Sequence, residues 1–162
     1  MTQMVPMTLP EALEAINVQA HKLLVAAAVE GQLLQDVDPK AIIRGDRARP
    51  TPPTPSVWLV PDIATADHTT HGLAELWNYQ LIIAALVKND DPNEGFAEAT
   101  DLAGKAVQVL LGRRRTWTLG FVEHVTPVRF DPSSARNSDS KRSLFWADGV
   151  VNVRFTRLEP GG

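Results

Sequence analysis

Two histidines have a spacing that could serve metal binding. His68 and His71 are three positions apart, so a helix would place both imidazoles on one side, and Asp62 or Asp67 could add a carboxylate ligand. The same stretch is rich in threonine and is bounded by a proline and a glycine, which indicates a loop without fixed ligand geometry. We therefore expect neither a metal ion nor a cofactor.

The other candidates for catalysis lack partners at informative spacings. His21 falls on a predicted helix and His124 on a predicted strand, and no motif places a serine or an aspartate beside either one. In the strand pattern, Glu123 falls on the same face as apolar residues on either side of it. Either it lies beyond the covered part of the sheet, or it is buried and paired with an arginine. The isolated glycines form no phosphate-binding loop. We expect no catalytic residues and no enzymatic activity.

Basic residues cluster in two segments that could meet in the fold. One run follows a predicted helix and the other lies in a polar segment, so together they would form a local basic patch. The patch is either a solvated helix end with a polar hairpin, or a contact with an acidic neighbouring subunit or a phosphate backbone. All four tryptophans fall in predicted strands, and rings on the outer face of an edge strand would favour subunit packing. The candidate interface residues are Arg113, Arg114, Arg115, Arg136, Lys141, Arg142 and Trp146.

The bulk composition limits the class of protein. A chain of 162 residues is typical of one domain, so we assign residues 1–162 to a single domain. The net charge of -3 gives no general attraction to nucleic acid or anionic lipid, and the chain has no cysteine for disulfides or thiol chemistry. The apolar run at residues 81–87 is too short to span a membrane, and the N-terminus does not resemble a signal peptide. We expect a protein that is made and used in the cytoplasm.

The first part of the chain predicts one helix and a connector. Thr8 and Glu11 have the spacing of a capping box, which predicts a helix that continues to about Glu30 and stops at Gly31. Its apolar residues recur at helical spacing and share one face. Residues 38–43 could form one short turn. Residues 50–55 are mostly proline, so they must form an extended connector without ladder hydrogen bonds.

The middle of the chain predicts two strands and a second helix. Residues 56–60 form a short apolar strand that ends at Pro61, and residues 77–87 alternate as a longer, half-buried strand. A helix follows at residues 94–111, with Asp91 or Asn93 as its cap. The stripe predicted to face the sheet consists of Phe96, Ala99, Ala103, Val107 and Leu110.

Two further strands close the chain. One begins at residue 116 and continues past Pro127 to residue 130, and the other covers residues 144–158. Residues 131–143 between them contain no large apolar side chain and predict a long mobile hairpin loop. The order α-β-β-α-β-β predicts an α+β fold, with an antiparallel or mixed four-to-five-stranded sheet and helices packed on one face.

In element order and size the chain resembles the tail terminator proteins of long-tailed bacteriophages. The resemblance rests on the N-terminal helix, the strands at residues 57–60 and 76–87, the helix at residues 96–111 and the closing hairpin with its large loop. It implies a structural virion protein that forms a homo-oligomeric ring, a hexamer in this family. Such a ring caps the tail tube, stops its polymerisation and joins the tail to the head.

The resemblance also implies partners and a location. The partners would be the tail tube protein and a head-completion or connector protein, while genome DNA would pass through the ring without sequence-specific binding and no membrane would be involved. The protein would sit in the tail or neck of the virion after assembly in the host cytoplasm. The alternatives are a head-completion or minor tail protein, and a small cytoplasmic ligand-binding or enzymatic domain.

Overall fold

In the part of the chain that the structure describes, two helices and five strands form the fold. A computed structural model describes residues 6–45, 53–67, 74–111, 117–137 and 144–158, with the backbone alone for 133–137. A short 3-10 turn at Pro39–Ala41 precedes the first strand. The predicted α+β class is confirmed. In chain order the elements are α1 (Leu9–Ala27), β1 (Ile42–Arg44), β2 (Ser56–Ala66), β3 (Ala74–Lys88), α2 (Pro92–Leu110), β4 (Val122–Asn137) and β5 (Leu144–Leu158).

The five strands form one mixed sheet in the order β1-β2-β3-β5-β4. The β1 strand runs parallel to β2, and every other neighbouring pair is antiparallel. The short β1 occupies part of the segment for which the sequence predicted only a turn. The sheet therefore has β1 at one edge and β4 at the other, with the long strands β3 and β5 in the middle.

Both helices pack on the same face of this sheet, as predicted. The main core joins the apolar stripes of α1 and α2 to the inward side chains of β2, β3, β4 and β5. Because side chains alternate along a strand, the residues between these point to the opposite, outer face. A smaller cluster on that outer face contains no helical residue and consists of Ile43, Val60, Trp58, Ala84 and Trp146.

The N-terminal helix begins at the capping box that the sequence predicted. The Thr8 amide donates to Glu11 Oε2 at 2.8 Å, and the Glu11 amide donates to Thr8 Oγ1 at 3.3 Å. The helix ends at Ala27, slightly before the predicted Glu30, and the amide of Leu34 then donates to the Ala27 carbonyl at 2.9 Å. This bond turns the chain back under the helix, and Gly31 supplies the positive φ of 82° that the turn needs.

The second helix is capped by Asp91, whose side chain accepts from two first-turn amides. Its predicted stripe is correct from Ala99 to Leu110 but wrong at Phe96, which is 41% exposed. Gly95 faces the sheet instead, and a Cβ there would lie 2.4 Å from the ring of Phe145. The helix can approach the sheet at this end only because residue 95 has no side chain.

Two strand boundaries differ from the sequence prediction because both strands lie toward an edge of the sheet, where proline is tolerated. The β2 strand does not stop at Pro61 but continues to Ala66, with a register irregularity between Pro61 and Ala64. The β4 strand begins at Val122 rather than at residue 116 and continues to Asn137. The predicted loop at 131–143 is therefore wrong over residues 131–137, which belong to β4. Asp131, Arg136 and Asn137 pair with β5, and a register irregularity lies between Asp131 and Arg136.

The remaining sequence predictions about connectors concern residues that are only partly described. Residues 53–55 of the proline-rich connector lead into β2 without strand structure, whereas 50–52 lie outside the described residues. Residues 138–143 of the predicted loop also lie outside the described residues. Neither α1 nor α2 is long and apolar enough to cross a bilayer, and the described residues contain no other helix that is.

Candidate functional site

The predicted basic patch falls largely outside the described residues. This applies to Arg113, Arg114, Arg115, Lys141 and Arg142, and also to the two histidines of the possible metal motif, His68 and His71. For Arg136 the backbone is described, and it pairs with Trp146 in the ladder between β4 and β5. The structure thus brings Arg136 and Trp146 together in register, and the rest of the patch stays a prediction.

The described residues that flank the arginine run are firmly anchored. The indole Nε1 of Trp117 donates to the carbonyl of Leu110 at 3.0 Å, and Trp117 is only 5% exposed. Gln19 of α1 donates to Thr118 Oγ1 at 2.9 Å and accepts from the amide of Leu119 at 3.1 Å. The segment before β4 is therefore bonded to the end of α2 through Trp117 and to α1 through Gln19.

Trp146, the other member of the predicted interface, lies in the apolar part of the outer face. Its ring packs against Trp58 with centroids 5.9 Å apart and planes tilted by 58°. Trp58 is fully buried and its Nε1 donates to Ser56 Oγ at 2.8 Å. Because β5 is an interior strand, Trp146 does not lie on the edge strand that the sequence argument required for subunit packing.

The other half of the outer face is polar. Asn152 of β5 donates through Nδ2 to Asn78 Oδ1 of β3 at 3.0 Å. Arg154 lies 3.4 Å from Glu123 Oε2 and 3.6 Å from Asp67 Oδ2, between the two carboxylates. The alternatives left open for Glu123 are thus resolved, because it is exposed and paired with an arginine at the same time.

This polar strip leaves some hydrogen-bonding capacity unused. Asn152 Oδ1 and Arg154 Nε are buried atoms without a hydrogen-bond partner. The contact between Arg154 Nε and Glu123 is close enough for an ion pair but does not have hydrogen-bond geometry. Unsatisfied buried polar atoms destabilise a fold by about 1–3 kcal/mol each. The polar strip of the outer face is therefore less well optimised for stability than the main core between sheet and helices.

An ion pair between Arg157 and Glu75 lies at one end of the sheet. Arg157, which is 8% exposed, donates to Glu75 Oε2 through Nε at 3.1 Å and to the Met7 carbonyl through Nη1 at 3.0 Å. The indole N–H of Trp77 donates to the same carboxylate at 2.9 Å. The hydrogen bonds from the indole and from Arg157 lower the pKa of Glu75 below its ordinary value, and the indole has the larger effect. The cluster ties the N-terminal segment to β3 and β5.

Of the two described histidines, His21 has a structural hydrogen-bond partner. His21 Nε2 lies 3.0 Å from the carbonyl of Ile42, which can only accept, so this nitrogen carries the proton and α1 is bonded to β1. His124 is exposed and lies opposite Arg154 in the ladder between β4 and β5. Across the described ranges, no three His, Cys, Asp or Glu side chains are grouped so that they could hold a metal ion.

Sequence reasoning missed the most exposed apolar residues of the two sheet edges. On β2, Ile63 is 55% exposed beside the exposed Asp62, and on β4 Val128 and Phe130 are 47% and 39% exposed beside Arg129. The prediction ended the first strand at the preceding proline, so Ile63 was placed in a loop. The usable signal was a single large apolar residue directly after a proline and an aspartate, in a segment otherwise suited to an edge strand.

No protein-family model and no curated protein matches this sequence. Among solved structures, the chain is similar to one in the virion of a native gene transfer agent particle. The two align with a TM-score of 0.59 over 87% of this chain and 94% of the other, at 17% sequence identity. At that identity the similarity concerns the fold, and it extends over nearly all of both chains. This chain therefore shares its fold with a component of that virion.

Proposed function

We propose that this protein is a structural component of a phage-like virion. The observation that supports the proposal is the fold shared with a chain of a gene transfer agent virion, which covers 94% of that chain. The match covers 87% of this chain and 94% of the other, so the shared fold supports a structural role in a virion. Fold alone does not determine function, so the proposal also draws on the surfaces that this chain offers to neighbours.

Within the virion, we propose that the protein acts as a tail terminator. A homo-oligomeric ring, with six copies in the simplest case, would sit on the last ring of the tail tube and stop its growth. The ring would join the tail to a head-completion or connector protein, and DNA would pass through it. The support is the resemblance in element order, together with a sheet whose two edges expose apolar side chains, Ile63 on one and Val128 and Phe130 on the other.

The chemistry proposed for this role is binding, without a catalytic step. A terminator needs a rigid scaffold, and the helix-covered sheet supplies one because its core side chains in β3 and β5 are fully buried. It also needs surfaces that bind copies of itself and the tube. The arginine run after α2 stays our candidate for the contact with the tube. The bonds of Gln19 and of the Trp117 indole hold the described residues on its C-terminal side against α1 and the end of α2.

Tube polymerisation in the presence of the purified chain tests the proposal. The tail tube protein of the same genome is polymerised with and without this chain, and tube lengths are measured by electron microscopy. We expect shorter tubes with an added ring at one end. Tubes of unchanged length that carry no added density would overturn the terminator assignment. A ring found only on purified head connectors would instead identify a head-completion protein.

A further inference from the structure

The β2 edge carries an exposed charge beside an exposed apolar side chain. The short β1 pairs only with Val57, Trp58 and Leu59, so no described strand covers β2 beyond them. In the uncovered part, the register irregularity between Pro61 and Ala64 presents Asp62 and Ile63 to solvent. Ile63 has the largest exposed fraction, 55%, of the large hydrophobic side chains in the described residues.

The opposite edge of the sheet carries the complementary pair. On β4, Arg129 is exposed and stands between the exposed apolar residues Val128 and Phe130. The Phe130 ring lies close to the positions of Gly149 and Gly104, at 3.0 Å and 3.9 Å from where a Cβ would stand. Those contacts hold the ring between α2 and the sheet, so its exposed edge is a preformed surface.

The two edges cannot contact each other within one chain. The strands β3 and β5 separate β2 from β4, which amounts to about 14 Å at the usual spacing of neighbouring strands. A contact between them must therefore join two copies. Because it uses two different surfaces, it is a heterologous contact, and repetition with a suitable rotation closes a ring.

Charge and proline positions indicate how the two edges would meet. Asp62 is acidic, Arg129 is basic, and neither forms an ion pair with another described residue. Pro61 and Pro127 stand next to these sites and remove backbone donors, so the contact is made by side chains rather than by a continuous β-ladder. Prolines at sheet edges also oppose open-ended strand pairing, which a ring of fixed size must avoid.

We propose that Asp62 and Ile63 of one copy bind Arg129, Val128 and Phe130 of the next copy. The ion pair would set the register, and the three apolar side chains would be removed from water. This proposal rests on the proposed ring function, since it identifies the contact through which the copies associate. The partner is a second copy of this chain.

Charge reversal is the first test. Asp62→Arg and Arg129→Asp should each weaken self-association at least about tenfold in sedimentation velocity, since each places like charges together. The double variant should recover most of the loss. Asp90→Arg, at an exposed aspartate in the turn before α2, is the matched control and should associate as wild type does. Single reversals that associate normally would overturn the contact.

Cysteine cross-linking is the second test, and it does not depend on the strength of the ion pair. The chain has no cysteine, so Asp62→Cys combined with Arg129→Cys introduces the only two thiols. Under oxidation we expect a ladder of covalent multimers that ends at the ring size, whereas either single variant should give dimers at most. A double variant that yields no species beyond dimers would contradict the proposal.

The two tests also separate this contact from the proposed function. If the variants behave as wild type while the chain still shortens tubes, the contact is wrong and the terminator function stands. If wild type neither associates nor affects tubes, both proposals fail. If Asp62→Arg and Arg129→Asp lose the ability to shorten tubes together with association, and the double variant regains both, both proposals are supported.

Discussion

On the side covered by α1 and α2, the central strands present side chains such as Leu81, Ile83 and Val151, all fully buried. On the other side the same strands present Asn78, Asn152 and Arg154, with two buried polar atoms left without hydrogen bonds. Both faces belong to one ladder, so backbone pairing is equal for the two. The difference shows that the helix-covered face contributes more to stability than the polar strip of the outer face. The apolar part of the outer face, around the fully buried Trp58, is packed as well, so the polar strip and the edges are the parts available for other roles.

The closeness of the helix layer explains this difference. Gly149 of β5 stands where an added Cβ would meet Val107 of α2 at 2.6 Å, and a Cβ on Gly95 of α2 would lie 2.4 Å from Phe145. The helix α2 therefore approaches the sheet closely at two points, and at each point one of the two facing residues is a glycine. A close approach maximises dispersion contacts and leaves the helix-covered face intolerant of added volume.

The largest expected effect is loss of a side chain from the covered face. Ile83→Ala should lower the free energy of unfolding by about 2–5 kcal/mol, because the side chain is fully buried between β3 and the helices. Its neighbour Ile82 points to the outer face and is only partly buried, so Ile82→Ala is the matched control. Urea denaturation measures both. Equal losses at the two positions would refute the stated difference between the faces.

The second-largest loss of stability is expected from added side-chain volume between helix and sheet. Gly149→Ala should destabilise the protein by about 1–3 kcal/mol, since the new methyl group would overlap Val107 and Phe130. Gly104→Ala is the control, because its nearest atom would be 3.9 Å away and alanine favours a helix interior. We expect thermal unfolding to show a lower Tm for the first variant and an equal or higher Tm for the second. A reversed order would mean that α2 packs differently.

A smaller loss of stability is expected on the outer face, when a partly buried polar side chain loses its hydrogen-bond partner. Asn78→Val should cost about 1 kcal/mol, because it leaves the Asn152 amide without its acceptor. Combining it with Asn152→Val should bring stability back close to wild type, since the second change also removes the unpaired Oδ1. Chemical denaturation of the three proteins measures this. A double variant that loses the sum of both single losses would show that the strip is optimised for stability.

The smallest expected effect concerns pH. Folding lowers the pKa of Glu75, so the ionised form contributes stability above the ordinary value of 4.5, and this contribution is lost as pH falls through the lowered pKa. Glu75→Gln should therefore be less stable than wild type at pH 7, by under about 1 kcal/mol for a partly exposed carboxylate. The gap should be smaller at pH 3 than at pH 7, because pH 3 lies below the ordinary value of 4.5. Denaturation curves at both pH values measure it, and an unchanged gap would contradict the assignment.

The helices were predictable because their signals are local. The capping box at Thr8, the cap at Asp91 and most of the apolar stripe of α2 can be read from spacing alone. Phe96 was assigned to the wrong side because Gly95 occupies the sheet-facing position, and that depends on where Phe145 lies. Spacing along a helix does not reveal which small residue another element requires.

The missed strand segments depend on long-range pairing. The three residues of β1 form a strand only because β2 lies parallel beside them. Residues 131–137 are polar and predict a loop, yet Asp131, Arg136 and Asn137 pair with β5 on either side of a register irregularity. Local composition describes the side chains, whereas a ladder is stabilised by backbone hydrogen bonds that any residue except proline can donate.

The candidate site was less predictable than the fold. The arginine run at 113–115 was chosen for its charge, and it lies outside the described residues. The edge residues Asp62, Ile63 and Arg129 carried no motif, because their importance comes from the strand order that puts them on opposite sides of the sheet. Such a relation appears only when the topology is known.

The proposed role is tested most directly by counting how many copies bind one tail tube. Short tubes are mixed with an excess of the purified chain, and native mass spectrometry measures the added mass per tube. We expect a single fixed number of copies, equal to one closed ring and independent of tube length. Added mass that grows with tube length, or tubes that gain no mass at all, would contradict a terminator that caps the end of the tube.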